Sequence, residues 1–134
     1  MSKIKINYLG DLRTSSEHLD SNTVITTDAP KDNQGLGRKF SPTDLVASSL
    51  GSCLLTIMGI VAKRHNISLD KTYADVQKKM SEKPRRISQI IVDIYFNSTL
   101  SDKSRKLLIN SAKHCPVHNS LNSEIDIQIN FNKE

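Results

Sequence analysis

The stretch SPTDLVASSLGSCLLTIMGIVA, from Ser41 to Ala62, decides the fold of this chain. Ser41 suits the N-cap of a helix, Pro42 suits its first position, and Asp44 completes a Ser-x-x-Asp capping box that faces the helix dipole. From residue 45 to residue 62 no side chain is charged, and apolar residues lie around most of the helical circumference. This pattern predicts a long central helix, ending near residues 64 to 66, that is buried on nearly all sides.

Strand patterns precede this helix. Ile4, Ile6 and Tyr8 alternate with polar residues and predict a half-buried strand that ends near Gly10. Residues 13–19 and 22–27 are weaker strand candidates. Residues 28–37 are rich in Pro, Gly, Asn and Asp, which is typical of a loop.

The second half of the chain shows two strands, a helix and a last strand. Residues 72–80 and 87–96 predict strands joined by a turn at residues 82–84, and a second helix begins near residues 101–102. Residues 124–131 alternate cleanly between apolar and polar side chains, which predicts a closing strand. The order is βββ-α-ββ-α-β, so we expect an α+β fold.

Length and composition indicate one domain over residues 1–134. A chain of 134 residues is large enough to bury a core without disulfides or metals. Two cysteines do not make the dense framework of a small secreted scaffold, and no apolar stretch with a cleavage site begins the chain. We therefore expect a cytoplasmic protein.

The uncharged run is just long enough for a membrane-spanning helix to be considered. It contains several serines, a threonine and two glycines, whereas lipid-facing segments are richer in Leu, Ile, Val and Phe. Without this segment, the remaining strands and helix would have nothing central to pack on. We therefore favour a core helix over a membrane span, and its small residues would let the same helix of a second copy approach closely in a homodimer.

A basic cluster lies in the turn region between the two middle strands, within a chain of formal net charge +5. Its members are Lys78, Lys79, Lys83, Arg85 and Arg86. Neither a recognition-helix signature nor an aromatic platform accompanies it, so the sequence predicts a solvated hairpin rather than a nucleic-acid site.

A zinc-binding site is one interpretation of the neighbouring imidazole and thiol groups of His114, Cys115 and His118. A structural zinc site needs four ligands, and His18 and His65 have no matching spacing. We expect neither a metal nor a cofactor.

The two cysteines, Cys53 and Cys115, are the residues most suited to chemistry. Cys53 lies in the middle of the long helix, and Cys115 falls on the inner face of the second helix, just before a short helix that could start at Pro116. Thiol catalysis needs a thiolate, which requires a nearby cation; Arg13 and Arg38 are the candidates. The alternative is that both cysteines are small buried core residues without chemistry.

Three segments together resemble the OsmC/Ohr family: residues 40–53 around Cys53, residues 114–119 around Cys115, and the closing strand at residues 125–127. The resemblance covers essentially the whole chain. It implies an intertwined α+β homodimer that reduces organic hydroperoxides, with its active sites at the subunit interface.

The resemblance also implies residue roles. Cys53 matches the peroxidatic cysteine, which becomes a sulfenic acid, and Cys115 matches the resolving cysteine, which forms an intramolecular disulfide with it. A small dithiol or, as in the Ohr branch, a lipoylated protein would then reduce that disulfide. Arg13 corresponds to the family's activating arginine, with Arg38 as a substitute.

The chain departs from the family pattern at one position. The glutamate that the Ohr branch places ten residues before its reactive cysteine is Thr43 here, and Asp44 follows it as the candidate acid. This departure keeps a second function open: a non-catalytic OsmC-like module that binds a small apolar ligand at the dimer interface.

Overall fold

The computed structural model describes residues 1–133, so Glu134, the last residue of the predicted single domain, lies outside the described part. The chain divides into two compact units, residues 1–46 and residues from 47 onward. The first unit contains β1 (Ile4–Gly10), β2 (Arg13–His18), β3 (Thr23–Asp28), a 3-10 turn (Lys31–Asn33) and the start of α1 (Pro42–Arg64). The second unit contains the rest of α1, β4 (Tyr73–Glu82), β5 (Arg85–Phe96), α2 (Asp102–Ser111), a 3-10 turn (Ala112–His114), α3 (Pro116–Ser120) and β6 (Asp126–Lys133). The predicted α+β order is confirmed, and one domain over residues 1–134 stays a prediction.

The first unit is an antiparallel meander of three strands in the order β1-β2-β3. Ile6 pairs with Ser16, which pairs with Ile25, so these side chains share one face. On that face Ile4, Ile6 and Tyr8 are 59%, 64% and 67% exposed. The prediction that β1 is half-buried is therefore wrong for the single chain, because the other elements of the first unit leave this face of the strand uncovered.

The second unit contains a sheet in the order β4-β5-β6, in which β4 and β5 are antiparallel and β5 and β6 are parallel. A parallel pair needs a crossover connection, which α2 and α3 provide. The inner face of β5 carries Ile90, Val92, Ile94 and Phe96, all without solvent exposure. The alternation predicted for residues 87–96 and 124–131 is thus confirmed.

The long helix α1 has one buried face. That face carries Ala47, Leu50, Gly51, Leu54, Met58 and Ala62. Ser49, Ser52, Thr56 and Ile60 are exposed. Burial on nearly all sides is therefore wrong for the single chain, since only one side of the helix meets packing partners within it. By length and composition alone α1 could cross a membrane, a property that core helices of soluble proteins share.

Candidate functional site

The start of α1 forms the predicted capping box. The Asp44 backbone N–H donates to Ser41 Oγ over 3.0 Å, and the Ser41 backbone N–H donates to Asp44 Oδ2 over 2.9 Å. These two bonds satisfy donors that a helix start otherwise leaves without partners. Asp44 is therefore engaged in fixing the first turn of α1, and a catalytic role for its carboxylate stays a prediction.

Cys53 lies in the middle of α1, at the border between the buried face, which carries Leu50 and Leu54, and the solvent-exposed face of the helix. It is partly exposed. Gly51 lets the helix backbone approach β4, since a Cβ at this position would lie 2.7 Å from Val76 Cγ2. This close approach fixes the helix that carries Cys53 on the sheet of the second unit.

Cys115 occupies the break between two helical segments. Pro116 disfavours a helical conformation for the residue before it, and Cys115 accordingly is extended, with φ −70° and ψ 114°. Its Sγ accepts a hydrogen bond from the His118 backbone N–H over 3.4 Å and so caps α3, the short helix predicted to follow. Leu108, Ala112 and Cys115 are all buried, which confirms the inner face predicted for this segment.

The structure brings the two thiols together. Both cysteines are free, and the Cys53 thiol lies close enough to Cys115 to shift the pKa of that thiol. Burial raises the pKa of the Cys115 thiol, and the hydrogen bond and charge of Cys53 raise it further, while the backbone N–H groups of His118 and Val117 oppose the shift. The surroundings of Cys115 therefore favour its protonated form.

Arg13 forms a two-pronged ion pair in the first unit. Its Nε donates to Asp28 Oδ1 over 2.6 Å and its Nη2 donates to Asp28 Oδ2 over 2.8 Å. The Asp28 side chain is only 5% exposed, against 33% for Arg13. The hydrogen bond from Arg13 holds the pKa of Asp28 below its ordinary value, and the same bond raises the pKa of Arg13. Both groups therefore stay charged at neutral pH.

Sequence reasoning missed Asp28. A signal was present: Arg13 and Asp28 lie equally far from the turn between β2 and β3, and in an antiparallel hairpin such residues face each other. Asp28 Oδ2 also accepts from the Arg38 backbone N–H over 3.2 Å. Both candidate arginines thus contact one carboxylate that the chain pattern had assigned only to a loop.

The predicted site residues therefore fall into two groups. Cys53 and Cys115 are in contact within the second unit. Arg13 lies with the Arg38 backbone around Asp28, and Asp44 lies in the capping box, both within the first unit. Two reduced thiols in contact can be oxidised to a disulfide and reduced again.

The profile of the family described as OsmC-like protein matches residues 34–130. The chain belongs to this OsmC-like family. A crystal structure from Psychrobacter arcticus 273-4, provisionally described as an osmotic stress induced and detoxification response protein, is 49% identical, with a TM-score of 0.91 over 98% of this chain and 96% of that chain. Membership of the family implies a role related to stress or peroxides.

More distant OsmC-like structures share the fold. An organic hydroperoxide resistance protein OsmC from Legionella pneumophila is 19% identical, with a TM-score of 0.74 over 98% of this chain and 96% of that chain. An OsmC-like protein from Mycoplasma pneumoniae is 21% identical, with a TM-score of 0.78 over 100% of this chain and 96% of that chain. These likenesses confirm the α+β fold predicted from the resemblance.

An uncharacterized protein of Methanocaldococcus jannaschii is 30% identical over 92 residues, which cover 66% of this chain. The matched part is 48% of that protein, so the chain spans about half the length of this curated relative.

Proposed function

We propose that this OsmC-like chain is a thiol-dependent peroxidase that reduces organic hydroperoxides in the cytoplasm. The observation that carries the proposal is the contact between the free thiols of Cys53 and Cys115, which lie sixty-two positions apart in the sequence. Random core packing of two small residues does not require this contact, whereas a peroxidase with a resolving cysteine does. Family membership supports the same reaction class.

The proposed chemistry assigns different roles to the two sulfurs. The Cys53 thiolate attacks the distal oxygen of the hydroperoxide ROOH, the O–O bond breaks, and the alkoxide takes a proton to leave as ROH. The Cys53 sulfenic acid then condenses with the Cys115 thiol, forming the S–S bond and releasing water. Because Cys115 keeps its proton while it is buried, it suits the resolving role rather than the first attack.

A thiol reductant closes the proposed cycle, and no metal or cofactor takes part in it. A small dithiol or a lipoylated protein supplies two electrons, reduces the disulfide and is itself oxidised to a disulfide. The family resemblance suggests these two donors. The reaction requires no nucleic acid and no membrane.

We also propose that Arg13 is the cation that favours the Cys53 thiolate, with Arg38 as the alternative. A guanidinium is always charged at physiological pH, and the ion pair with Asp28 holds the Arg13 side chain in one orientation. The rate of Cys53 alkylation, measured as a function of pH in the Cys115→Ser variant, distinguishes the two arginines. Arg13→Gln should shift the pH dependence of Cys53 alkylation to higher pH, and Arg38→Gln should leave that dependence unchanged. A shift in Arg38→Gln but not in Arg13→Gln would assign the role to Arg38.

A homodimer is part of the proposal. The exposed apolar face of β1 supports it, because an apolar sheet face without a covering layer marks an interaction surface. A second copy of this chain is the partner that the family resemblance implies.

The test of the reaction is peroxide consumption. Purified protein with cumene hydroperoxide and a dithiol should consume the peroxide, and Cys53→Ser should abolish turnover. In the absence of the dithiol, Cys115→Ser should consume one equivalent of peroxide to form the Cys53 sulfenic acid, and any further consumption should appear as overoxidised Cys53, because the resolving step is missing. Unchanged turnover in Cys53→Ser would contradict the enzymatic proposal.

One observation favours a second function, a non-catalytic module that binds a small apolar ligand at the dimer interface. Thr43 replaces the acid of the Ohr branch, and its neighbour Asp44 already serves the capping box. Mass spectrometry after stoichiometric peroxide separates the two functions. Loss of two hydrogens at a Cys53–Cys115 link supports the peroxidase, and an unchanged mass supports the binding module.

A further inference from the structure

The two sulfurs differ in their access to solvent. Cys115 has no exposed surface, and its Sγ already contacts the His118 backbone N–H and the Cys53 side chain. Cys53 is partly exposed. An external molecule that approaches the thiol pair therefore meets the Cys53 sulfur first.

Dimer formation does not reverse this difference. A second copy can cover more of the surface of this chain, but it does not expose a side chain that the chain itself encloses. A peroxidase that works through Cys53 must keep a path to that sulfur open. The same path reaches the disulfide after oxidation, with Cys115 behind it.

We infer that the reducing thiol attacks the Cys53 sulfur of the oxidised protein, with Cys115 as the leaving group. The inference rests on the proposed function. The reductant thiolate RS⁻ forms a new S–S bond with Cys53 while the Cys53–Cys115 bond breaks, and its electron pair leaves on Cys115, which takes a proton. The second thiol of a dithiol reductant then attacks the mixed disulfide, releasing the reduced Cys53 and the oxidised donor.

The position of Cys115 fits the leaving group. Thiol–disulfide exchange is faster when the departing sulfur is stabilised as it gains negative charge. The His118 backbone N–H already donates to this sulfur, so the donor is in place before the bond breaks. Burial raises the pKa of the Cys115 thiol and so slows its departure as a thiolate, and this backbone donor opposes that effect.

One entrance for both substrates has a kinetic consequence. The Cys53 thiolate of the reduced protein attacks the peroxide, and the reducing thiol attacks Cys53 of the oxidised protein, so both substrates react at the same sulfur. The enzyme should therefore follow ping-pong kinetics, and an excess of a non-reducing analogue of the thiol should compete with the peroxide.

The direct experiment locates the mixed disulfide. Wild-type protein is oxidised with one equivalent of hydroperoxide, mixed with an excess of the monothiol 2-mercaptoethanol, quenched in acid and alkylated after unfolding. Peptide mass spectrometry should find the mercaptoethanol on Cys53 and the alkyl group on Cys115. An adduct on Cys115 with alkylation of Cys53 overturns the inference, while the oxidation to the disulfide itself still supports the peroxidase.

A second measurement decides the matter if the mixed disulfide does not accumulate. The single-cysteine proteins Cys115→Ser and Cys53→Ser are titrated with 5,5′-dithiobis(2-nitrobenzoate) in the folded state and after unfolding. Cys53 should react at least about 100-fold faster than Cys115 when folded, and the two should react at similar rates when unfolded. Equal folded rates, or a faster Cys115, overturn the inference.

Discussion

Arg13 and Asp28 face each other across β2 and β3 and are joined by two hydrogen bonds, of 2.6 Å and 2.8 Å. This carboxylate also receives the Arg38 backbone N–H, so it links the strand pair to the loop that leads into α1. A bidentate pair of this kind fixes the guanidinium in position as well as in charge. Asp28 of β3 thus holds together β2, β3 and the loop before α1.

Asp28→Asn should lower the melting temperature by several degrees at about pH 7, because the variant leaves Arg13 without its carboxylate partner. The folded-state pKa of Asp28 is lowered, so its stabilising contribution is complete above about pH 4 and is lost as the pH falls through that lowered pKa. The difference between wild type and variant should therefore shrink in acid. Thermal unfolding across this pH range measures it, and the exposed Asp20→Asn serves as control. A difference that does not change with pH would contradict the ion-pair explanation.

Gly51→Ala should destabilise the protein, because the added Cβ would lie 2.7 Å from Val76 Cγ2. Overpacking costs roughly 1–3 kcal/mol, which outweighs a gain of about 1 kcal/mol in helix propensity. Adding Val76→Ala should recover part of the loss, which a double-mutant cycle measures by chemical denaturation. Gly59→Ala is the matched control, since a Cβ there meets no atom within 4 Å. Equal effects at both glycines would contradict the proposed contact.

The effects of substituting Ser41 and Asp44, the two residues of the capping box, on the free energy of unfolding should be coupled. Asp44→Ala and Ser41→Ala should each cost about 1 kcal/mol, and the double variant should cost less than their sum, because either change removes the reciprocal arrangement. Unfolding in denaturant gives all three values. Asp20 is an exposed acid that lies 3.9 Å from His18, so Asp20→Ala is the control. It should change the free energy of unfolding by less than about 0.5 kcal/mol. Strict additivity would show that the two hydrogen bonds act independently.

The sequence predicted the elements whose partners lie within the chain. The alternation of residues 87–96 and 124–131 identified the buried face of β5 and the half-buried face of β6, since period-two burial needs only a covered sheet. The capping box and the short helix after Pro116 followed from local backbone rules that depend on few neighbours.

The sequence did not predict features that depend on what lies opposite a residue. The pattern of β1 shows which face is apolar, but not whether this chain covers it, and Ile6 is 64% exposed. The role of Asp28 required the hairpin register that places it opposite Arg13. For Cys53, the spacing of the two cysteines alone favoured core packing over chemistry, and the closeness of Cys115 is the structural observation that argues for chemistry.

The exposed face of β1 should form the interface with a second copy of this chain. Ile6→Lys places a charge on that face and should weaken the dimer by at least about 100-fold, since each copy loses a buried side chain worth about 1.5–3 kcal/mol and must desolvate an ammonium group. Asn7→Lys is the matched control, because Asn7 is the next residue of the same strand and points to the opposite face. Analytical ultracentrifugation over a range of concentrations measures both. A wild-type protein that stays monomeric at all concentrations, or a dimer that Ile6→Lys leaves intact, would show that this face is not the interface.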